Sequence, residues 1–314
     1  MTKARENSDY TGLQGDLAGL QTNITAGDTA ARAGRKNLFI NGGFDVWQRG
    51  TSLAGATSYL ADRWFNGTTE TQSRQAFTVG QTEVDGNPTY YHRGSSGSTE
   101  WYGLKQRIEN VGTTAGREVT LSYWAKGSSA FTNAPYRGQN FGSGGSSEVN
   151  AALSTANITT SWARYTHTFT LPSISGKTVG AGSYLQINLI RANVNNITID
   201  LANCQLEVGS VATDFEHRSY GEELALCQRY YEEPFGSFRA ASQDTGYTFA
   251  VQYPYAVTKR ATPTVTVTAV GTRVGVGDHG IQSNNVNCCA QQFGITDGTS
   301  PRVYGSQVKV SAEL

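Results

Sequence analysis

In four separate stretches of this chain, large apolar side chains fall on every second position. Val119, Leu121 and Tyr123 alternate with Thr120, Ser122 and Trp124. Ala163, Tyr165, His167, Phe169 and Leu171 alternate with Arg164, Thr166, Thr168 and Thr170. Leu185, Ile187 and Leu189 repeat the pattern against Gln186 and Asn188, and Ile197, Ile199 and Leu201 against Thr198 and Asp200. Successive strand residues point to opposite faces, so this period builds sheets with one packed and one wet face. Antiparallel sandwiches show that behaviour, whereas a helical core needs apolar residues three and four apart. The 314 residues include 36 glycines and 16 tyrosines but one methionine, which suits many strands joined by turns. The expected fold class is all-β.

Charge and cysteine usage narrow the function. Lys+Arg and Asp+Glu stand at 25 each with no strongly basic block, so bulk capture of nucleic acid has no support. No apolar run approaches a membrane span, and Met1 to Gly12 is too polar for a secretory signal. The expectation is a chain with no membrane insertion and no export signal of its own. The four cysteines, Cys204, Cys227, Cys288 and Cys289, lack CxxC spacing and read as reduced, mostly buried thiols.

Taken in order, residues 1–35 form a polar arm followed by Leu13, Leu17, Leu20 and Ile24, spaced four, three and four apart. That spacing suits a short helix, either docked on a neighbour or forming a three-chain coiled-coil seam. Residues 36–218 carry the first β-domain, 219–233 a connecting helix with Leu224, Cys227 and Tyr231 on one face, and 234–314 a smaller β-sandwich. Ser128 to Glu148 reads as a long loop insertion, and Gly271 to Ser300 as loops projecting from the second β-domain.

The opening of the first domain is Asn37 to Trp64, NLFINGGFDVWQRGTSLAGATSYLADRW. Leu38 to Ile40 reads as a buried strand broken by Asn41-Gly42-Gly43, and Tyr59 to Phe65 as a second strand holding Asp62 and Arg63. Far downstream come Ile199 to Gly209, IDLANCQLEVG, then Ala212 to Arg218, ATDFEHR, and Glu222 to Tyr231, EELALCQRYY. The opening resembles the first strand of jelly-roll domains of the carbohydrate-binding-module type. All these pieces together, in this order, resemble bacteriophage tail-fibre and receptor-binding proteins. The resemblance implies a jelly-roll body, a homotrimer and attachment to other virion proteins (tail, collar or baseplate) through the N-terminus. It also implies reversible adhesion to a host surface polysaccharide from the outside of the virion. A purely structural virion protein is the alternative, and a polysaccharide depolymerase the third reading.

The two motif-bearing ends, Asn37 to Phe44 and Ile197 to Leu206, are expected to be neighbouring strands of one sheet. Sugar binding needs flat rings for C–H-rich faces and planar polar groups for hydroxyls. Trp47 and Trp64 read as core. Trp124 stands out of phase with its apolar neighbours and is a candidate platform, as is Trp101 at a strand start. Tyr136, Arg137 and Phe141 in the 128–148 segment, and Asp278, His279 and Asn285 in the 271–300 segment, are the other candidates, the latter expected at the distal tip. Jelly-roll modules of the resembling type often hold a structural calcium, and Asp45 and Asp200 fall at about the implied positions. The plainer reading is that these carboxylates cap turns or pair with arginine. No other cofactor is called for. No hydrolase or nucleotide-binding motif is present, so the chain is expected not to be an enzyme. Asp62, Glu100, Glu109 and Glu148 are the carboxylates a depolymerase would draw on.

Overall fold

The computed structural model describes residues 36–55, 57–67, 71–96, 101–194, 196–239, 245–270, 273–296 and 301–314. The expected helix and seam at 13–24 lie outside the described residues, as does Glu100. The body is a jelly-roll sandwich of two six-stranded antiparallel sheets. The first sheet runs in the order Ser52–Leu53, Thr71–Ala76, Tyr90–Ser96, Ile197–Val208, Glu118–Gly127, Ala163–Thr170. The second runs Val149–Ala152, Tyr136–Asn140, Tyr184–Asn188, Leu104–Glu109, Phe65–Asn66, Ser58–Tyr59. The alternating residues do what their period requires: Val119, Leu121, Tyr123, Leu185, Ile187, Ile199 and Leu201 are buried in one core.

The second β-region is a smaller sandwich. Arg302–Ser311 pairs with Tyr231–Glu232, Phe235–Arg239, Thr264–Val270 and Arg273–Val274, and Thr248–Pro254, Cys288–Ile295 and Val276–Asn284 form a separate sheet. Val251, Tyr253, Phe293, Val303, Val308 and Val310 fill the space between them. The helix Tyr220–Gln228 joins the two sandwiches and ends sooner than the 219–233 expected, because Tyr231–Glu232 is already a strand of the second sandwich. Ser219 caps it: its hydroxyl accepts from the Glu222 N–H while the Glu222 carboxylate accepts from the Ser219 N–H. The four cysteines are free, with Cys204, Cys227 and Cys289 buried.

The opening motif departs from expectation in an instructive way. Residues 37–44 lie beside the Ile197–Val208 strand, with Leu38 N donating to Leu206 O at 2.8 Å and Cys204 N to Gly42 O at 2.9 Å. They are nevertheless not a strand. Asn41 and Phe44 both have φ of 58°, and a Cβ on Gly42 would come within 2.1 Å of the Cys204 carbonyl oxygen. The segment is instead a knot of turns tied by Asn41, whose side chain donates to Val46 O and Asp62 O and accepts from Val46 N. Residues 59–65 likewise split into two short strands about a turn. Trp47 and Trp64 are buried, as their reading as core requires.

The same motif holds the second sandwich. The Arg63 guanidinium is buried, donates to the Glu313 carboxylate and to Arg107 O, and lies 3.4 Å from the Tyr230 ring centroid. Arg49 reaches Glu313 at 2.9 Å and Asp62 at 3.4 Å and covers the Tyr231 ring at 3.5 Å. Tyr59 and Arg107 both donate to Leu314 O.

Candidate functional site

Strand register composes the outer face of the second sheet. Tyr136 stands opposite Asn188, Asn188 opposite Lys105, and Lys105 opposite Phe65. A parallel row sets Asn150, Gly138, Gln186 and Arg107 side by side, and a third sets Asn140, Tyr184 and Glu109. Directly opposed residues share a face, so these rows form one polar surface carrying two tyrosine rings. Tyr136 and Tyr184 lie four residues apart in register, roughly 13 Å along the strands.

Cations orient both rings: Arg191 sits 5.1 Å from the Tyr136 centroid and Arg107 4.7 Å from that of Tyr184. Burial and the neighbouring Arg107 hold the Lys105 ammonium below its ordinary pKa, with Glu148 opposing. Gln186 accepts from Arg107 Nε at 3.3 Å, and the Asn188 Oδ1 is a buried acceptor without a partner among the described residues. Exposed Glu148 and Asn150 reach over the bare backbone of Gly138, where a Cβ would stand 2.7 and 2.5 Å from their side-chain oxygens. The face thus offers two stacking rings with amides, two cations and a carboxylate between them.

Tyr136 belongs to this surface, but its presumed companions do not. Arg137 follows it on the same strand and therefore faces the other side, opposite buried Ile187. Phe141 is 1 % exposed and packs in the interior. The segment 128–148 is not a loop insertion: it supplies the strands Phe131–Asn133 and Tyr136–Asn140. Glycines serve close packing here: a Cβ on Gly145 of the segment would meet Phe141 O at 2.1 Å, and one on Gly180, which packs against it, would meet Ser143 O at 1.9 Å. Trp101 lies in a two-residue strand paired with Ala192–Asn193, off both main sheets.

The projecting loops expected at 271–300 are also corrected. Val276–Asn284 and Cys288–Ile295 form a hairpin, with Asp278 opposite Phe293 and His279 inside the strand. Asn285 is exposed at the turn, where its Oδ1 accepts from Asn287 N and Cys288 N. That side chain ties the turn.

Trp124, out of phase as read, projects from the outer face of the first sheet and lines a cleft of about 290 Å³. The segment 212–218 crosses this face and supplies Asp214, Phe215 and His217 to the same cleft. A smaller recess of about 110 Å³ continues from it past Gly86 to Asp45.

The implied calcium does not fit. Both Asp200 oxygens accept from the Arg93 guanidinium, at 2.7 and 2.8 Å, with Lys126 3.9 Å away. Asp45 lies near Glu223, whose Oε1 is taken by Asn41 N at 2.6 Å. Among the described residues no three His, Cys, Asp or Glu converge as ligands.

Tyr184, Gln186, Asn188, Lys105 and Arg107 were not singled out from sequence. Their signal was there: Gln186 and Asn188 are the outward polar positions of a strand read only for its core, although Gln186 is largely covered. What sequence lacked was the register that sets them beside Tyr136.

No family model and no curated protein matches this chain. The solved structures that match are chiefly jelly-roll carbohydrate-binding modules. One contains the CBM22-1–GH10 modules of a Clostridium thermocellum endo-1,4-beta-D-xylanase complexed with xylohexaose, at 11 % identity and TM-score 0.39 over 57 % of this chain and 30 % of that one. A CBM4 structure matches at 18 % identity and TM-score 0.33 over 54 % of this chain and 98 % of that one. Tailspike protein 4 of bacteriophage CBA120 matches at 16 % identity and TM-score 0.31 over 55 % of this chain and 21 % of that one.

Proposed function

We propose that this chain is a non-catalytic glycan-binding protein of a phage fibre. It holds an extended host-surface polysaccharide on the outer face of its second sheet. The observation that carries this is the joint placement of Tyr136 and Tyr184 with Gln186, Asn188 and Lys105 between and beside them. Rings cover the C–H faces of sugars, and amides and cations bond their hydroxyls. The separation of the rings suits several linked sugars rather than one. Each contact is weak, and three copies in a homotrimer, repeated over several fibres, multiply it through effective concentration. The N-terminal arm joins the virion.

Binding without cleavage is supported by the fate of the acidic candidates. Asp62 accepts from Gln48 and Arg49, and Glu109 pairs with Arg229 and Arg260. Glu148 stays exposed on the face, but hydrolysis calls for two carboxylates about 5–10 Å apart. A scaffold role without host binding is favoured by one observation: the family-like residues Asn41, Arg49, Asp62 and Arg63 all serve the fold.

Affinity electrophoresis of the whole chain in gels containing host polysaccharide separates the readings. The parent should be retarded, and Tyr136→Ala and Tyr184→Ala should each weaken retardation about tenfold, roughly 1.4 kcal/mol. No retardation of the parent sinks glycan binding in favour of the scaffold, and release of reducing ends sinks the non-catalytic reading.

A further inference from the structure

We propose that the cleft over the first sheet is a separate site for one neutral sugar ring, such as a glycan chain end. It lies on the opposite sheet from the polysaccharide face, and its failure would leave that reading standing. Trp124 and Phe215 supply two half-buried rings in a space of about 290 Å³, at the small end of ligand cavities and sized for a single ring.

The polar groups are of both kinds. The Arg164 guanidinium is fixed by donating to Thr213 O and Ser122 Oγ and presents its remaining N–H groups as donors. Asp85 and Asp214 are exposed acceptors at the rim. Asn203 is the second, independent indication. Its φ of 46° falls at the bulge between Ala202 and Gln205, a device that re-aims side chains. Its amide N–H donates to Asp85 O at 2.9 Å, which fixes the amide's orientation, and it is 4 % exposed. Its Oδ1 is buried and has no hydrogen-bond partner among the described residues, though the residue lines both this cleft and the adjoining recess. A buried acceptor left unmet is costly, and a ligand hydroxyl would satisfy it.

The lining also selects the ligand class. A hydroxyl donates and accepts, matching one guanidinium beside several acceptors. An anionic sugar or phosphate would meet two carboxylates against one guanidinium, and an apolar ligand would strand all of them. A neutral monosaccharide unit is what remains.

The test is a titration of the whole chain with glucose, galactose, mannose and N-acetylglucosamine, with glucuronate as the anionic comparator. It is read by saturation-transfer NMR and tryptophan fluorescence. At least one neutral sugar should bind. Trp124→Ala and Asp214→Ala should weaken it about tenfold or more, while Tyr184→Ala on the other sheet leaves it unchanged. Asp214 is exposed, so its variant decides the matter should Trp124→Ala lose its cooperative melt. Absence of binding by all four neutral sugars, preference for glucuronate, or weakening by Tyr184→Ala but not Asp214→Ala overturns the proposal. Retardation by polysaccharide should survive Asp214→Ala, so the two sites fail separately.

Discussion

Two carboxylates of the opening motif sit above their ordinary range, and their partners make them opposite cases. Burial and the neighbouring Glu223 push Asp45 up to about 6. Burial also pushes Asp62 up to about 6, against the pull of Arg49 and Gln48. A carboxylate easier to protonate when folded adds stability below its unfolded pKa, and that is lost as pH rises through the folded value. Asp45 should therefore cost stability at neutral pH, because no cation among the described residues answers it. Asp45→Asn should raise the melting temperature at about pH 8 and flatten the decline in stability between about pH 4 and about pH 6. A differential scan across that range checks it, and no gain at about pH 8 would refute the account. His92, pushed down to about 3 by burial, acts in the opposite sense over an overlapping window, and comparison with the parent cancels it. Asp62→Asn should destabilise, since that carboxylate accepts from Gln48 N at 2.7 Å and Gln48 Nε2 at 2.8 Å. Calcium should leave the melting temperature of the parent unchanged, because Asp200 is already filled by Arg93.

Glycine has two meanings at the level of the strand, and sequence could not separate them. The alternation at 119–126 and 163–171 translated directly into paired strands, Tyr123 opposite Tyr165 and Leu121 opposite His167. Even the odd phase of Trp124 was legible, because a period of two leaves each residue only two faces. The run from Ser128 to Glu148 was not, since its glycines and serines carry the composition of a loop while building a strand paired on both sides and a tight turn. Tyr136 and Arg137 looked like one binding pair, yet neighbours on a strand cannot share a face. Register, which brings Tyr184 and Lys105 to Tyr136, depends on partners distant in sequence. The two kinds of glycine can be told apart by substitution. A Cβ on Gly180 would strike the backbone oxygen of Ser143, so Gly180→Ala should cost about 1–3 kcal/mol in denaturant unfolding. A Cβ on Gly138 would meet only the side-chain ends of Glu148 and Asn150, which can swing aside. Gly138→Ala should keep its melting temperature while losing polysaccharide retardation. Equal destabilisation by both would refute the distinction.

At the scale of the whole molecule, the opening motif of the first domain is a clasp between the two sandwiches. Arg63 is buried with Glu313 against Tyr230, and Arg49 bridges Glu313 to Asp62 while covering Tyr231. Gln48 Nε2 adds a bond to Tyr231 O at 2.8 Å. A buried ion pair adds little net stability over an apolar pair, but losing one partner strands the other charge, at about 3–5 kcal/mol. Glu313→Ala leaves the buried Arg63 guanidinium facing Tyr230 without its carboxylate and Arg49 with Asp62 alone, and touches neither sandwich's own core. The parent should therefore melt as one coupled unit, and Glu313→Ala should split its calorimetric trace into two transitions. The smaller sandwich should go first, since its core holds fewer and smaller buried side chains than the jelly roll. Protease cleavage within 229–234, between the helix and the second sandwich, should accelerate in parallel. Added salt should not reproduce the split, because a pair this buried is poorly screened. A single unchanged transition in Glu313→Ala would show that Gln48 and the helix hold the sandwiches together without the clasp. Splitting by salt alone in the parent would place these charges in solvent, contrary to the burial of Arg63.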